Sequence, residues 1–80
     1  MHLEILTPES RIYAGEITLV SLPGVRGSFE ILNNHAPLIS TLGPGQIKVI
    51  DTAGQTQFFR IRRGVAECLD NEIHLLVTSE

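Results

Sequence analysis

Seven glycines and four prolines punctuate these 80 residues, at Pro8, Gly15, Pro23, Gly24, Gly27, Pro37, Gly43, Pro44, Gly45, Gly54 and Gly64. A helix interior tolerates neither residue well. Between the breaks no window places apolar residues at i, i+3, i+4 and i+7, so no helix is expected. The intervening residues alternate with the period of a strand. Leu3 and Ile5 share one face, opposite His2 and Glu4; Ile17 and Leu19 oppose Thr18 and Val20; Ile73, Leu75 and Val77 oppose His74, Leu76 and Thr78.

The turn chemistry agrees. Gly43-Pro44-Gly45-Gln46 suits a type II turn, with Pro44 at i+1 and Gly45 supplying positive φ at i+2. Asp51-Thr52-Ala53-Gly54 reads as a hairpin loop ending on a left-handed glycine. Asp70-Asn71 can make a two-residue turn, because both side chains tolerate positive φ. With Arg63-Gly64 and Gly15 taken as breaks, strands are expected near 2–7, 10–13, 16–22, 28–32, 36–42, 46–51, 56–62, 65–69 and 72–78, the last four forming a meander. Many short strands joined by glycine and proline turns argue for an all-β antiparallel sandwich or barrel.

Eighty residues make a single domain, 1–80. A chain of this size buries only about 60% of its unfolded surface, so its core is thin and usually needs a staple. Cys68 is alone, which excludes a disulfide and fits a reducing compartment. His2, His35, His74 and Cys68 show no ligand spacing, so no metal is expected. A partner is the staple that remains. Val49 with Ile50 and Phe58 with Phe59 put apolar side chains on both faces of their strands, a second sign of a covered surface.

Six Lys and Arg stand against nine Asp and Glu, a net charge of -3, which is the reverse of a nucleic-acid binder. Arg60, Arg62 and Arg63 cluster without an aromatic ladder, and Arg60 and Arg62 alternate with Phe59 and Ile61, so they read as a solvated strand face. No apolar run is long enough to span a membrane, and Met1-His2-Leu3-Glu4 lacks the features of a signal peptide.

Chemistry-bearing constellations are few. His35, ahead of Ala36-Pro37, is either a contact residue, a strand-entry histidine packed over the Ala36-Pro37 bend that the proline holds extended, or a general base; only Glu30 offers a carboxylate to orient it. Gly24-Val25-Arg26-Gly27 lacks the lysine, hydroxyl and helix of a phosphate-binding loop and reads as a tight exposed loop. Cys68, on the face opposite Val65, Glu67 and Leu69, reads as an inert core residue.

The run Leu22-Pro23-Gly24-x-x-Gly27-x-Phe29-x-Ile31, then His35-Ala36-Pro37-Leu38 and Pro44-Gly45, resembles the amino-terminal domain of the epsilon subunit of F-type ATP synthase. The flanks agree: His2-Leu3-x-Ile5, Tyr13-x-Gly15-x-Ile17, Phe59, Gly64-x-x-Glu67 and Asn71-x-Ile73-x-Leu75-x-Val77. The resemblance implies a flattened sandwich of two roughly five-stranded antiparallel sheets, without an active site or cofactor. It implies a rotor subunit of a proton- or sodium-translocating synthase that couples rotation of the c-subunit ring to gamma and the catalytic head. The ring-facing loop would be Arg26, Gly27, Ser28 and Phe29; the gamma contacts would be Thr7, Pro8, His35, Ala36, Pro37 and Ser40. The chain stops at Glu80, where many members continue into a helical hairpin, so ATP binding is not expected. The resemblance implies a peripheral location without membrane insertion, on the cytoplasmic face of a bacterial plasma membrane or the stromal face of a thylakoid. Arg62-Arg63 departs from the small residues more usual in the family. The alternatives are a free-standing sandwich that binds a peptide or sugar at a sheet edge, and a small enzyme built on His35 and Glu30.

Overall fold

In β1 (His2–Leu6) the expected alternation is realised: Leu3 and Ile5 are fully buried, while His2 and Glu4 are half-exposed. The computed structural model describes all 80 residues, and six further strands complete it: β2 (Arg11–Gly24), β3 (Gly27–Leu32), β4 (Leu38–Leu42), β5 (Gly45–Asp51), β6 (Thr56–Leu69) and β7 (Glu72–Ser79). No helix forms.

Two of the expected breaks are absent. β2 and β6 each run for 14 residues, straight through Gly15 and Gly64. The reason is that each changes partners midway without losing its ladder. β2 pairs with β1 up to Glu16, then with β3 and β5, and its register slips between Ile17 and Leu19. β6 pairs with β5 up to Ile61, then with β4 and β7, and slips between Ile61 and Arg63. An extra residue bends a strand and reverses which face its later residues present. Hence Ile17 and Val20 are both buried, although simple alternation puts them on opposite faces, and Leu19 is left partly exposed. The same reset lets Ile61, Ala66 and Cys68 all point inward.

Counting the halves of the two long strands separately, the chain forms a two-layered sandwich. One layer runs β2 (11–16), β1, β7, β6 (63–69), β4; the other runs β3, β2 (17–24), β5, β6 (56–61). The β1–β7 pair is parallel and the rest are antiparallel. A bridge from Gly24 to Leu42 ties the layers at one end.

The core is sixteen apolar residues with no buried polar side chain. Full burial of each leucine, isoleucine or valine contributes roughly 1.5–3 kcal/mol. Tyr13 and Phe59 close one flank edge-to-face, with ring centroids 5.8 Å apart, and Phe29 and Leu38 also pack on the core.

The turns mostly follow the sequence. Asp70 and Asn71 sit at φ 52° and 62°. Gly54 sits at φ 83°, and Asp51 Oδ1 accepts the N–H groups of Ala53 and Gln55, both at 2.9 Å. The Gly43–Gly45 segment differs from the expected type II turn. Gly45 has the expected positive φ, but at 156°, whereas that turn needs about 80°. β4 and β5 do not pair, so the segment carries the chain from one layer to the other. A side chain at Gly45 would meet Pro23, whose Cβ lies 2.7 Å from the ideal Cβ position.

At Gly64 an ideal Cβ would lie 2.6 Å from the Leu76 carbonyl oxygen and 2.8 Å from Val77 Cγ1. Gly64→Ala is therefore expected to destabilise the sandwich by about 1–3 kcal/mol through overpacking. The check is the urea midpoint, which should fall with an unchanged slope.

Candidate docking surfaces

The inward set of β7, Ile73, Leu75 and Val77, leaves Leu76 on the outside of the five-stranded layer, 58% exposed. Strand register extends it into a row, Thr41–Val65–Leu76–Leu6, across β4, β6, β7 and β1. The next row reads Ile39–Glu67–His74–Glu4. Ile39 is 76% exposed, and Leu69 and Val65 are exposed too. Polar groups around these residues pair with one another. His2 Nδ1 lies 2.8 Å from Glu16, Arg11 donates to Glu4 at 3.2 Å, and His74 Nε2 is 3.7 Å from the same carboxylate. The face is apolar in patches, with Glu4, Glu16, Arg11, His2 and His74 paired among themselves and the exposed Glu67 left without an ion pair.

The other layer also carries apolar groups outward. Phe58 and Leu32 are exposed, with Ile50 and Leu19 partly so. Of the two adjacent pairs the sequence brought out, Val49 and Phe59 face the core while Ile50 and Phe58 face outward.

The fold divides the expected gamma contacts between two ends of the five-stranded layer. Thr7 and Pro8 form the tight β1–β2 turn: the Thr7 N–H donates to the Ser10 carbonyl at 2.8 Å, and the Ser10 N–H donates to Thr7 Oγ1 at 3.1 Å. With Leu6, Leu76, Val77 and Thr78 they line a groove of about 310 Å³. His35, Ala36 and Pro37 lie at the opposite end, in the β3–β4 connection. That end is pinned by the Asn34 N–H, which donates to Asn71 Oδ1 at 2.8 Å, and by the Met1 ammonium, which donates to Asn33 Oδ1 at 2.9 Å. The His35 ring lies 2.8 Å from the Ala36 carbonyl through Nδ1. Pro37 opens a groove of about 380 Å³ lined also by Leu38, Ile39, Glu67, Cys68 and Leu69. Ser40 pairs with buried Ala66, so it sits on the inner side of β4 and is only half-exposed.

The expected ring-facing loop is the tip of the β2–β3 hairpin. Val25 and Arg26 form its turn, and Gly27 and Ser28 open β3, all exposed. Phe29 differs: it packs on the core, and its Cε1 lies 2.9 Å from the ideal Cβ position of Gly24. The Val25 N–H donates to the Thr41 carbonyl at 3.1 Å, which brings this hairpin against the end of β4. Sequence reasoning passed over Ile39, Val65, Leu69 and Leu76. The doubly apolar Leu75-Leu76-Val77 was the available signal.

His35 and Glu30 are not brought together. Glu30 pairs with Ser21 on the other layer, and no hydrogen bond or ion pair joins it to the imidazole. No group of three His, Cys, Asp or Glu is placed to hold a metal.

Residues 1–79 match the family model described as ATP synthase, Delta/Epsilon chain, beta-sandwich domain. The chain is 43% identical over 67 residues to the ATP synthase epsilon chain of Maricaulis maris, covering 84% of this chain and 50% of that one. It is 39% identical to the ATP synthase epsilon chain of Caulobacter vibrioides, covering 84% and 77%. Its fold is shared, with a TM-score of 0.88 at 17% identity, by a chain in the Euglena gracilis mitochondrial ATP synthase structure, covering 96% of this chain and 49% of that one. The architecture thus defines the delta/epsilon class of ATP synthase β-sandwiches. This chain belongs to that family, as the expected resemblance held. It spans about half the length of most of the curated relatives it matches.

Cys68 is 2% exposed and burial pushes its thiol above the usual range; Tyr13 is raised by burial and by the nearby Asp51 carboxylate. Both groups hold their protons more tightly folded than unfolded. Their contribution is therefore complete below the unfolded values and fades as pH climbs beyond them. The urea midpoint is expected to hold to about pH 8 and to fall from about pH 9 upward. Cys68→Ala should flatten the first part of that fall.

Proposed function

We propose that this chain works as a non-catalytic rotor subunit in the central stalk of a proton- or sodium-translocating F-type ATP synthase. Its task is to pass rotation of the c-subunit ring to the gamma subunit and so to the catalytic head. The observation that carries the reading is the match of residues 1–79 to the ATP synthase beta-sandwich family, on a chain that leaves Ile39, Val65, Leu69 and Leu76 in water. A domain with so small a core gains stability by covering such a face with a partner.

In this reading gamma lies on the five-stranded layer, spanning the Thr7–Pro8 turn, the Ile39–Leu76 patch and the His35–Pro37 bend. The ring meets the hairpin tip at Arg26, Gly27 and Ser28. Transmission of torque needs a body that does not shear between those two surfaces. Two features supply stiffness: β2 and β6 run through both layers, and the Gly24–Leu42 bridge joins the hairpin to the end of β4. No helix long and apolar enough to cross a membrane is present. In this reading attachment is peripheral, through the complex, on the cytoplasmic face of a bacterial plasma membrane or the stromal face of a thylakoid. ATP binding and catalysis are left to other parts of the machine.

Titration with purified gamma from the same organism tests the reading. Ile39→Asp should weaken binding at least about thirtyfold, as expected when a buried apolar anchor is replaced by a charge. His35→Ala should weaken it about fivefold at the edge of the contact. Wild-type affinity in both variants would remove the proposed gamma face; no binding of the unmodified chain would remove the rotor reading.

The ring contact has its own test. Ser28→Trp places a bulky ring at the hairpin tip and should lower the ATP turnover that accompanies proton flow in membrane vesicles. Wild-type coupling would refute the loop assignment.

A further inference from the structure

His74 stands at the centre of the outer face of the five-stranded layer. β7 is the middle strand of that layer, and the His74 ring is half-exposed on it, with exposed Glu72 and Leu76 two residues to either side. Its register partners on the flanking strands are both carboxylates, Glu4 on β1 and Glu67 on β6. Neighbouring strands lie about 4.8 Å apart, so one imidazole is within reach of both. The two carboxylates differ. Glu4 is half-buried, accepts from Arg11 Nη1 at 3.2 Å and lies 3.7 Å from His74 Nε2. Glu67 is exposed and has no ion pair.

The row on one side of His74, Thr41–Val65–Leu76–Leu6, carries no charge. The row on the other side, towards the β6–β7 turn, reads Leu69–Glu72–His2–Glu16; there His2 and the Met1 ammonium both lie on Glu16, and Glu72 is unpaired at the rim. At the centre of the face two carboxylates, Glu4 and Glu67, therefore stand against one guanidinium, Arg11. With a neutral imidazole one negative charge is left over; an imidazolium at His74 cancels it. In water the surplus matters little, because exposed ion pairs are screened and weak. Under a partner it matters much more. Ile39, Val65, Leu69 and Leu76 make the surroundings apolar, and a carboxylate shut away from water without a counter-charge is strongly unfavourable.

We propose that covering this face takes up a proton at His74, so that the chain grips gamma more tightly as pH falls from about 8 to about 6. The inference rests on the gamma-facing reading above and adds a pH response to that surface. An imidazole changes charge between about pH 5 and 8. Once the partner excludes water, Glu4 and Glu67 hold the His74 proton more firmly than they do in the free chain. The complex then carries more protons than its separated parts, and linkage fixes the sign. Affinity is greatest at low pH and is lost as pH rises through the range in which the bound imidazole gives up its proton. The histidine thus acts as a counter-charge supplied by solvent, available to the assembly only when protons are plentiful.

The test is titration with purified gamma at about pH 8 and about pH 6, at one ionic strength. The unmodified chain should bind about tenfold more tightly at the lower pH. His74→Gln removes the titrating group and should bring the two affinities within about twofold of each other. Glu67→Gln removes the surplus carboxylate; it should raise the affinity at the higher pH and shrink the ratio in the same way. His35→Ala, weaker at both pH values, should keep the tenfold ratio. Calorimetry in buffers of different ionisation enthalpy should show proton uptake when the unmodified chain binds, and little when His74→Gln does. Equal affinity of the unmodified chain at the two pH values overturns the inference and leaves the gamma reading standing; no binding at either pH overturns both. A ratio that survives His74→Gln overturns the inference by assigning the proton to gamma or to another histidine. Weaker binding of Glu67→Gln at both pH values overturns it too, and makes a cation of gamma the counter-charge.

Discussion

β2 and β6 are each held by one set of neighbours along their first half and another along their second, and a one-residue bulge sits at each change. The bulges keep apolar residues pointing inward on both sides of the bend, so Ile17 and Val20 share one core, as do Ile61, Ala66 and Cys68. Without them the second half of each strand would turn its apolar side chains to solvent. The sandwich, its stiffness and the placement of every proposed contact depend on this. So does the need for glycine at 64, where β6 passes against the backbone of β7.

The interior that results is small and wholly apolar, with sixteen buried residues and no buried polar side chain to satisfy. Apolar residues left over on the two outer faces are then the informative ones. On the five-stranded layer they form patches around Ile39, Val65 and Leu76, edged by the ion pairs of Glu16 and Glu4, with the unpaired Glu67 among them. Such a face offers a partner apolar contact and one carboxylate to be met. That suits permanent assembly better than reversible ligand capture.

The ends of the sandwich differ in character from its faces. One carries the exposed β2–β3 hairpin tip and the Thr7–Ser10 turn; the other carries the β6–β7 turn and the asparagine-pinned connection that holds His35. A rotor element needs distinct surfaces for distinct neighbours, and here the separation is built into topology. The Gly24–Leu42 bridge lies between the hairpin and the layer proposed to face gamma, which makes it a direct mechanical link between the two.

The residues themselves specified the all-strand character, the turns at Asp51–Gly54 and Asp70–Asn71, and the inward sets of β1 and β7, because period-two burial and positive-φ preference are local properties. The LPG and HAPL runs carried the family. Only the tertiary structure decided that Gly15 and Gly64 lie within strands, since a glycine reads as a break until its backbone is seen to pair across it. It also decided that Phe29 is a core residue, that Ser40 faces inward from β4, and that Leu76 and Ile39 lie on one surface. These depend on register and on bulges, which no local pattern encodes.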